Sequence, residues 1–229
     1  MFGSMSPRAF APNALTLLNL LSGCLGTAAA LTGRAEWVVL FMGIGLVADV
    51  LDGLVARALG VDSPLGAQLD SLADLVSFGV QPAALWVALE TPDAFEASPL
   101  VWSAALLPLF AAWRLARFNI SLDESTEFRG LATPAAAIAV LGLSLGSTVH
   151  GWSYPPLILV LTPVVLGVLM VSRLPMFSFK SGARPWQIAL AVGTAVCLVL
   201  FKFAGIAAAV GFYVVLNVVR VLIHQRSAP

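Results

Sequence analysis

Apolar residues along this chain gather into eight continuous stretches rather than alternating with polar ones. The stretches run from Asn13 to Leu31, Trp37 to Leu59, Leu65 to Leu89, Leu100 to Phe118, Pro134 to Trp152, Pro155 to Val171, Trp186 to Lys202 and Ala204 to Val221. Each is close to the ~20 residues that carry a helix across a bilayer. The runs are rich in Ala, Leu and Gly and lack the period of two that a lipid-facing strand needs, so the pattern predicts helical hairpins and not a barrel. No internal repeat, low-complexity segment or long linker divides the chain. Residues 1–229 are therefore expected to form a single all-α, polytopic membrane domain of about eight transmembrane helices.

Composition strengthens this reading and narrows the function classes. Hydrophobic residues make up 59% of the chain and charged residues 10%, with a mean hydropathy of +0.95. A soluble domain carries about 25% charged residues because its surface must face water. A soluble enzyme, a disordered protein and a nucleic-acid binder are excluded on that ground. Net charge is zero, from 12 basic and 12 acidic residues, so there is no polybasic arm. Cys24 and Cys197 lie in apolar runs and read as small buried hydrophobes, not as a disulfide or a metal pair. Trp37, Trp102, Trp152 and Trp186 sit near span ends, where interfacial aromatic belts form.

The first span has the look of a leader: Arg8, an apolar run, then Ala28-Ala29-Ala30. The distribution of positive charge argues against cleavage. With eight spans, both termini share a side with the loops after spans two, four and six. That side holds Arg8, Arg57, Arg114, Arg117, Arg129, Arg173, Lys180, Arg184, Arg220 and Arg226, against Arg34 and Lys202 on the other. Cytoplasmic loops carry the excess of Lys and Arg, so both termini are expected in the cytoplasm.

Against this apolar background, four acidic residues are out of place: Asp49, Asp52, Asp70 and Asp74. Charges within a span are costly and mark function. Asp49 and Asp52 are i,i+3 and share a face of span two; Asp70 and Asp74 are i,i+4 and share a face of span three. In an antiparallel hairpin over residues 37–89, at about 1.5 Å rise per residue, Asp52 falls beside Asp70 and Asp49 beside Asp74. Four carboxylates held together repel strongly at low dielectric and need cations. The carboxylates alone fit two readings equally: a proton or cation path through a transporter, or a site for hard divalent ions.

The residues between them favour the second. Gly53, Ala56 and Gly66 allow close approach to the backbone, and Arg57 offers an always-charged fork suited to phosphate oxygens. Paired divalent ions about 3.5–4 Å apart are the usual device of phosphoryl chemistry. Together these features describe a diphosphate site.

Written out, Asp49-x-x-Asp52-Gly53-x-x-Ala56-Arg57-x8-Gly66-x3-Asp70-x3-Asp74 resembles the motif of the CDP-alcohol phosphatidyltransferase family at every fixed position. The resemblance implies two divalent metal ions, Mg²⁺ or Mn²⁺, on Asp49, Asp52, Asp70 and Asp74, with Asp74 also the general base. It implies that Gly53, Ala56, Arg57 and Gly66 hold the CDP moiety, and that the protein is a homodimer. Within the family the chain resembles the branch that transfers the phosphatidyl group of CDP-diacylglycerol to serine. Three stretches carry this: Leu69 to Pro82, with Ser71 and Leu75 where phosphatidylglycerophosphate synthases usually have Pro and Lys; Arg114-Leu-Ala-Arg117-Phe-Asn119; and Pro12-Asn13-Ala-Leu-Thr16-Leu-Leu-Asn19. The likeness covers roughly the first 140 residues. One departure is Ala132, where the branch usually has Pro.

The implied reaction is CDP-diacylglycerol plus L-serine giving phosphatidylserine and CMP, at the cytoplasmic face of the cell membrane, with the lipid tails left in the bilayer. Arg114 and Arg117, i,i+3 on one helix face, are candidates for the serine carboxylate. Interfacial anchoring is the competing role for both. Thr16 and Asn19 are candidates for the nucleotide pocket, with helix–helix hydrogen bonding the competing role. Asp123, Glu124 and Glu127 could meet the serine ammonium, or form a solvated loop. Two rival functions stand beside this one. The first is the same chemistry on glycerol 3-phosphate or an inositol phosphate, although glycerol 3-phosphate wants a more basic pocket. The second is a divalent-cation or proton-coupled transporter, which calls for an inverted repeat and broken midplane helices that the sequence lacks.

Overall fold

The computed structural model describes residues 9–61, 63–88, 99–120, 128–176 and 184–226. Among these, eight helical rods follow one another: α1 (Phe10–Leu31), α2 (Ala35–Leu59), α3 (Pro64–Ala88), α4 (Leu106–Ile120, led in by a 3₁₀ segment Pro99–Ala105), α5 (Thr133–His150), α6 (Pro156–Val171), α7 (Arg184–Phe201) and α8 (Ala204–Arg226). Their order matches the eight apolar stretches. Five of them (α1, α2, α3, α5 and Ala204–Ile223 of α8) are long and apolar enough to cross a membrane, and α6 and Pro185–Phe201 are shorter apolar helices. The protein is an integral membrane protein. The sequence does not betray the only strands among the described residues, β1 (Phe128–Arg129) and β2 (Pro175–Met176), which pair antiparallel. The acidic loop residues Asp123, Glu124 and Glu127 lie outside the described residues.

Large apolar side chains such as Leu17, Leu21, Val47, Val50, Val165, Ile188 and Val199 stand exposed around the bundle, as a hydrocarbon solvent requires. Cys24 belongs to this surface. It is exposed on α1, which corrects the expectation that protein buries it. The residues inside α1 are instead small or polar: Asn13, Thr16, Asn19, Ser22, Gly23, Gly26, Ala29 and Ala30 recur at three- and four-residue spacing. That stripe lets α2 and α3 pack closely on α1. A Cβ at Gly23 or Gly26 would collide with Ser77 or Gln81 of α3.

α3 is the centre of the bundle and touches α1, α4 and α5. Its start follows from local chemistry. Gly60 ends α2 in the left-handed region (φ 61°), and Ser63 then caps α3 by accepting from Gly66 N at 2.9 Å, with Pro64 in the first turn. Midway, Val76–Val80 winds as a π-helix, a form that clusters at functional sites. Within it Gly79 lies against Ala111 and Pro108, so α4 docks there.

The main apolar core, with Trp86, Leu107, Ala111, Leu131, Val140, Leu159 and Met170, joins α3 to α4, α5 and α6. Pro163 lies inside α6 and has no N–H to give Leu159 O, four residues earlier. That carbonyl accepts instead from Trp86 Nε1 at 3.0 Å and Ser103 Oγ at 3.3 Å.

At the other end of α6, the segment before α5 clasps the chain. Gly130 N donates to Leu174 O and Leu131 N to Leu169 O, both at 2.9 Å. Gly130 has φ +76°, and a Cβ there would strike Met170 O.

Candidate active site

Asp49 and Asp52 project from the second half of α2, and Asp70 and Asp74 from the first half of α3. Gly60 and Ser63 turn the chain sharply between them, so the antiparallel hairpin brings the two pairs together as their spacing predicts. Carboxylate oxygens of Asp49, Asp70 and Asp74 all lie within 4.8 Å of one another. Asp52 lies within electrostatic range of both Asp49 and Asp70.

α1 supplies the groups that orient these carboxylates. Thr16 Oγ1 donates to Asp52 Oδ2 at 2.6 Å, and Asn19 Nδ2 to Asp74 Oδ1 at 3.2 Å. Asn19 is itself locked, since its carbonyl accepts from Ser77 Oγ at 2.8 Å and its side chain is fully buried. Asp70 Oδ1 is buried with no hydrogen-bond partner. Converging carboxylates with an unpaired buried oxygen form a hard-oxygen donor set, and it fits a divalent ion. Such an ion would also relieve the mutual repulsion of the group.

Beside the carboxylates opens a cavity of about 460 Å³. Thr16, Gly53, Ala56 and Gly66, all expected at the nucleotide, line it together with Asp52 and Asp70. Two other expected residues do not. Asn19 is turned to Asp74, and Arg57 stays exposed, its guanidinium lying over Gly53 at the rim.

Two lining residues were missed as site residues. Asn13 is buried and its Nδ2 has no partner. Ser63 lines the wall as the cap of α3. The Ser-Pro pair is a readable start signal. Asn13 stands in the opening stretch already singled out, but its role depends on the fold.

α4 brings its polar end to the same region, and here the arginine pair divides. Arg114 Nη1 reaches Thr133 Oγ1 on α5 at 3.4 Å, its Nε is buried without a partner, and it lies within electrostatic range of Asp74. Arg117 Nη1 donates to Val171 O, the last residue of α6, at 3.1 Å. Asn119 Nδ2 donates to Ser71 Oγ on α3 at 2.9 Å. Ser71 therefore ties α3 to α4, a bond that a proline at its position could not make.

The family model for CDP-alcohol phosphatidyltransferases matches residues 9–171, from the start of α1 to the end of α6. The chain belongs to the CDP-alcohol phosphatidyltransferase family. Its membership spans all four aspartates, the cavity and both arginines; α7 and α8 lie beyond the matched range. Among family members, the chain is similar to the CDP-diacylglycerol–serine O-phosphatidyltransferase of Mycobacterium leprae, 33% identical over 76% of this chain and 60% of that protein. It thus spans less than two thirds of that relative's length. Two other relatives with the same description are covered almost whole. The Bacillus subtilis protein is 32% identical over 76% of this chain and 93% of its own length. The Helicobacter pylori protein is 31% identical over 94% of this chain and 92% of its own. That last alignment extends past the family's matched core into α7 and α8.

Proposed function

We propose that this family member transfers the phosphatidyl group of CDP-diacylglycerol to L-serine and releases CMP. One observation carries the reading: carboxylates of α2 and α3 converge beside a cavity that Asn13, Thr16, Asp52, Ser63 and Asp70 help to line, with the unpartnered Nε of Arg114 within electrostatic range of Asp74. The description shared by the three relatives supports serine as the acceptor.

In this reading Asp49, Asp52, Asp70 and Asp74 hold two divalent ions, Mg²⁺ or Mn²⁺. When bound, these would offset the charge of the diphosphate and of the departing CMP. The nucleotide takes the cavity, against the small residues Gly53, Ala56 and Gly66. Asn13 offers its free amide N–H there, and Arg57 meets phosphate oxygens at the rim. Asp74, held at one oxygen by Asn19, accepts the proton of the serine hydroxyl. The hydroxyl oxygen bonds to the phosphorus that carries diacylglycerol, the phosphoanhydride bond breaks, and CMP leaves with the electron pair. Arg114 takes the serine carboxylate. The diacylglycerol tails stay in the hydrocarbon.

In this reading the whole chain is one domain in the cell membrane with the site and both termini cytoplasmic, which is supported by the ten of twelve basic residues that an eight-span topology puts on that side. We also propose a homodimer, on the family resemblance.

The test is a product assay. Purified protein is given CDP-diacylglycerol with L-serine, glycerol 3-phosphate or inositol, and CMP and lipid products are measured. Serine should give CMP and phosphatidylserine far faster than the others. A faster rate with either rival acceptor would overturn the choice of serine, and no CMP with any acceptor would overturn the transferase reading.

A further inference from the structure

The three polar side chains at the C-terminal end of α4 each engage a different neighbour. Asn119 is bonded to α3 through Ser71, Arg117 to α6 through Val171 O, and Arg114 to α5 through Thr133. The bond of Arg117 is structural, because a cation at a helix C-terminus satisfies a carbonyl that lacks an intrahelical partner. Asn119 closes a side-chain pair. Arg114 alone of the three keeps a buried donor, Nε, without a partner. An unmade bond of that kind costs free energy, and a guanidinium edge is shaped to take a carboxylate through two parallel N–H bonds.

Thr133 controls how that edge is presented. It is fully buried as the first residue of α5, and a proline follows it. Its side chain is enclosed on every side, so packing holds its oxygen where Arg114 meets it. On α6, Met170 and Leu169 receive the Gly130–Leu131 segment that leads into Thr133, which fixes the backbone from below.

We infer that Thr133 is a positioning residue for acceptor specificity: its hydroxyl holds the Arg114 guanidinium so that the Nε edge stays free beside Asp74 to take the acceptor's carboxylate. The inference rests on the serine reading above and deepens it. Arg117 is then not a second arm of a carboxylate clamp. It holds α6 against α4 and so maintains the place where Arg114 meets Thr133.

The experiment compares wild type, Thr133→Val and Thr133→Ser with two acceptors, L-serine and 2-aminoethanol, which has the same hydroxyl and amine but no carboxylate. Valine keeps the shape and the β-branch and removes the acceptor oxygen; serine keeps the oxygen. Thr133→Val should raise the KM for serine roughly tenfold, as expected for a lost bond to a charged group. The KM for CDP-diacylglycerol should hold, the preference for serine over 2-aminoethanol should narrow, and Thr133→Ser should restore it.

An unchanged serine KM and preference in Thr133→Val overturns the inference. So does an equal rise in both substrates' KM. Should Thr133→Val fail to fold in detergent, Arg114→Gln decides. It should erase the preference for serine, and a wild-type preference in that variant overturns the inference. Wild type releasing no CMP with serine is a different result, because it overturns the serine reading itself.

Discussion

The Thr16 hydroxyl donates a hydrogen bond to Asp52 Oδ2 at 2.6 Å, across the contact between α1 and α2. Pro12 O stands 3.1 Å from the same hydroxyl, but one proton serves one acceptor, and a carboxylate is the stronger one. The bond orients Asp52 and fixes its distance from Asp49, Asp70 and Asp74. Thr16→Val should leave the fold intact and loosen that carboxylate. The expected result is a rise of roughly tenfold in the Mn²⁺ concentration needed for half-maximal CMP release, read from a metal titration. An unchanged titration would make Thr16 a helix-packing residue only.

Asp74→Asn keeps the size of the side chain and removes the proton acceptor. Turnover should fall by about 10²–10⁴-fold, the usual contribution of a general base, with the melting temperature in detergent nearly unchanged. Activity within tenfold of wild type would remove Asp74 from that role. Asn19 remains able to bond an amide oxygen at position 74, so the contact between α1 and α3 survives the substitution.

Removing divalent ions should stop CMP release, and Mg²⁺ or Mn²⁺ should restore it, because carboxylates without cations repel a diphosphate. The check is activity in excess chelator, followed by add-back. Persistent turnover with metal-free substrate would rule out the metal-dependent reading of the aspartates.

Gly130 and Gly151 both adopt positive φ, +76° and +66°, yet their surroundings differ. A Cβ at Gly130 meets the carbonyls at the end of α6, whereas one at Gly151 meets nothing within 4 Å. Gly151→Ala should cost about 1 kcal/mol, from backbone strain alone. Gly130→Ala should cost more, roughly 1–3 kcal/mol, and weaken serine use as well, since it displaces the segment before Thr133. Thermal denaturation of both variants decides; equal losses would mean that the clasp on α6 is not tight.

The aspartate quartet was legible because i,i+3 and i,i+4 spacing on two short-linked helices leaves carboxylates almost no other arrangement. The helix spans were legible because a bilayer demands long apolar runs. What stayed hidden depends on partners distant in sequence. Nothing in the arginine pair says that Val171 O claims Arg117 while Arg114 keeps a free donor. Asn19 reads equally well as a nucleotide contact or a helix contact until Asp74 is placed beside it. The π-helical turn at Val76–Val80 leaves no mark, since one wide turn changes neither the composition nor the apolar character of the run. Cys24 was misplaced because an apolar run in a membrane helix does not tell lipid from protein.

The carbonyl that Pro163 leaves open has a bearing on biogenesis. Trp86 closes the end of α3 remote from the aspartates, and its indole N–H finds its acceptor on Leu159, 73 residues later in the chain. As helices enter the bilayer in order, α1 to α3 bring the aspartates together early, while this indole remains unsatisfied in hydrocarbon. Only the arrival of α6, opened at that one carbonyl by its proline, gives the indole a partner. A chain truncated before α6 would carry every aspartate and keep α3 tied to α1 and α2 through Ser77 and Gln81, yet leave this buried indole without its acceptor.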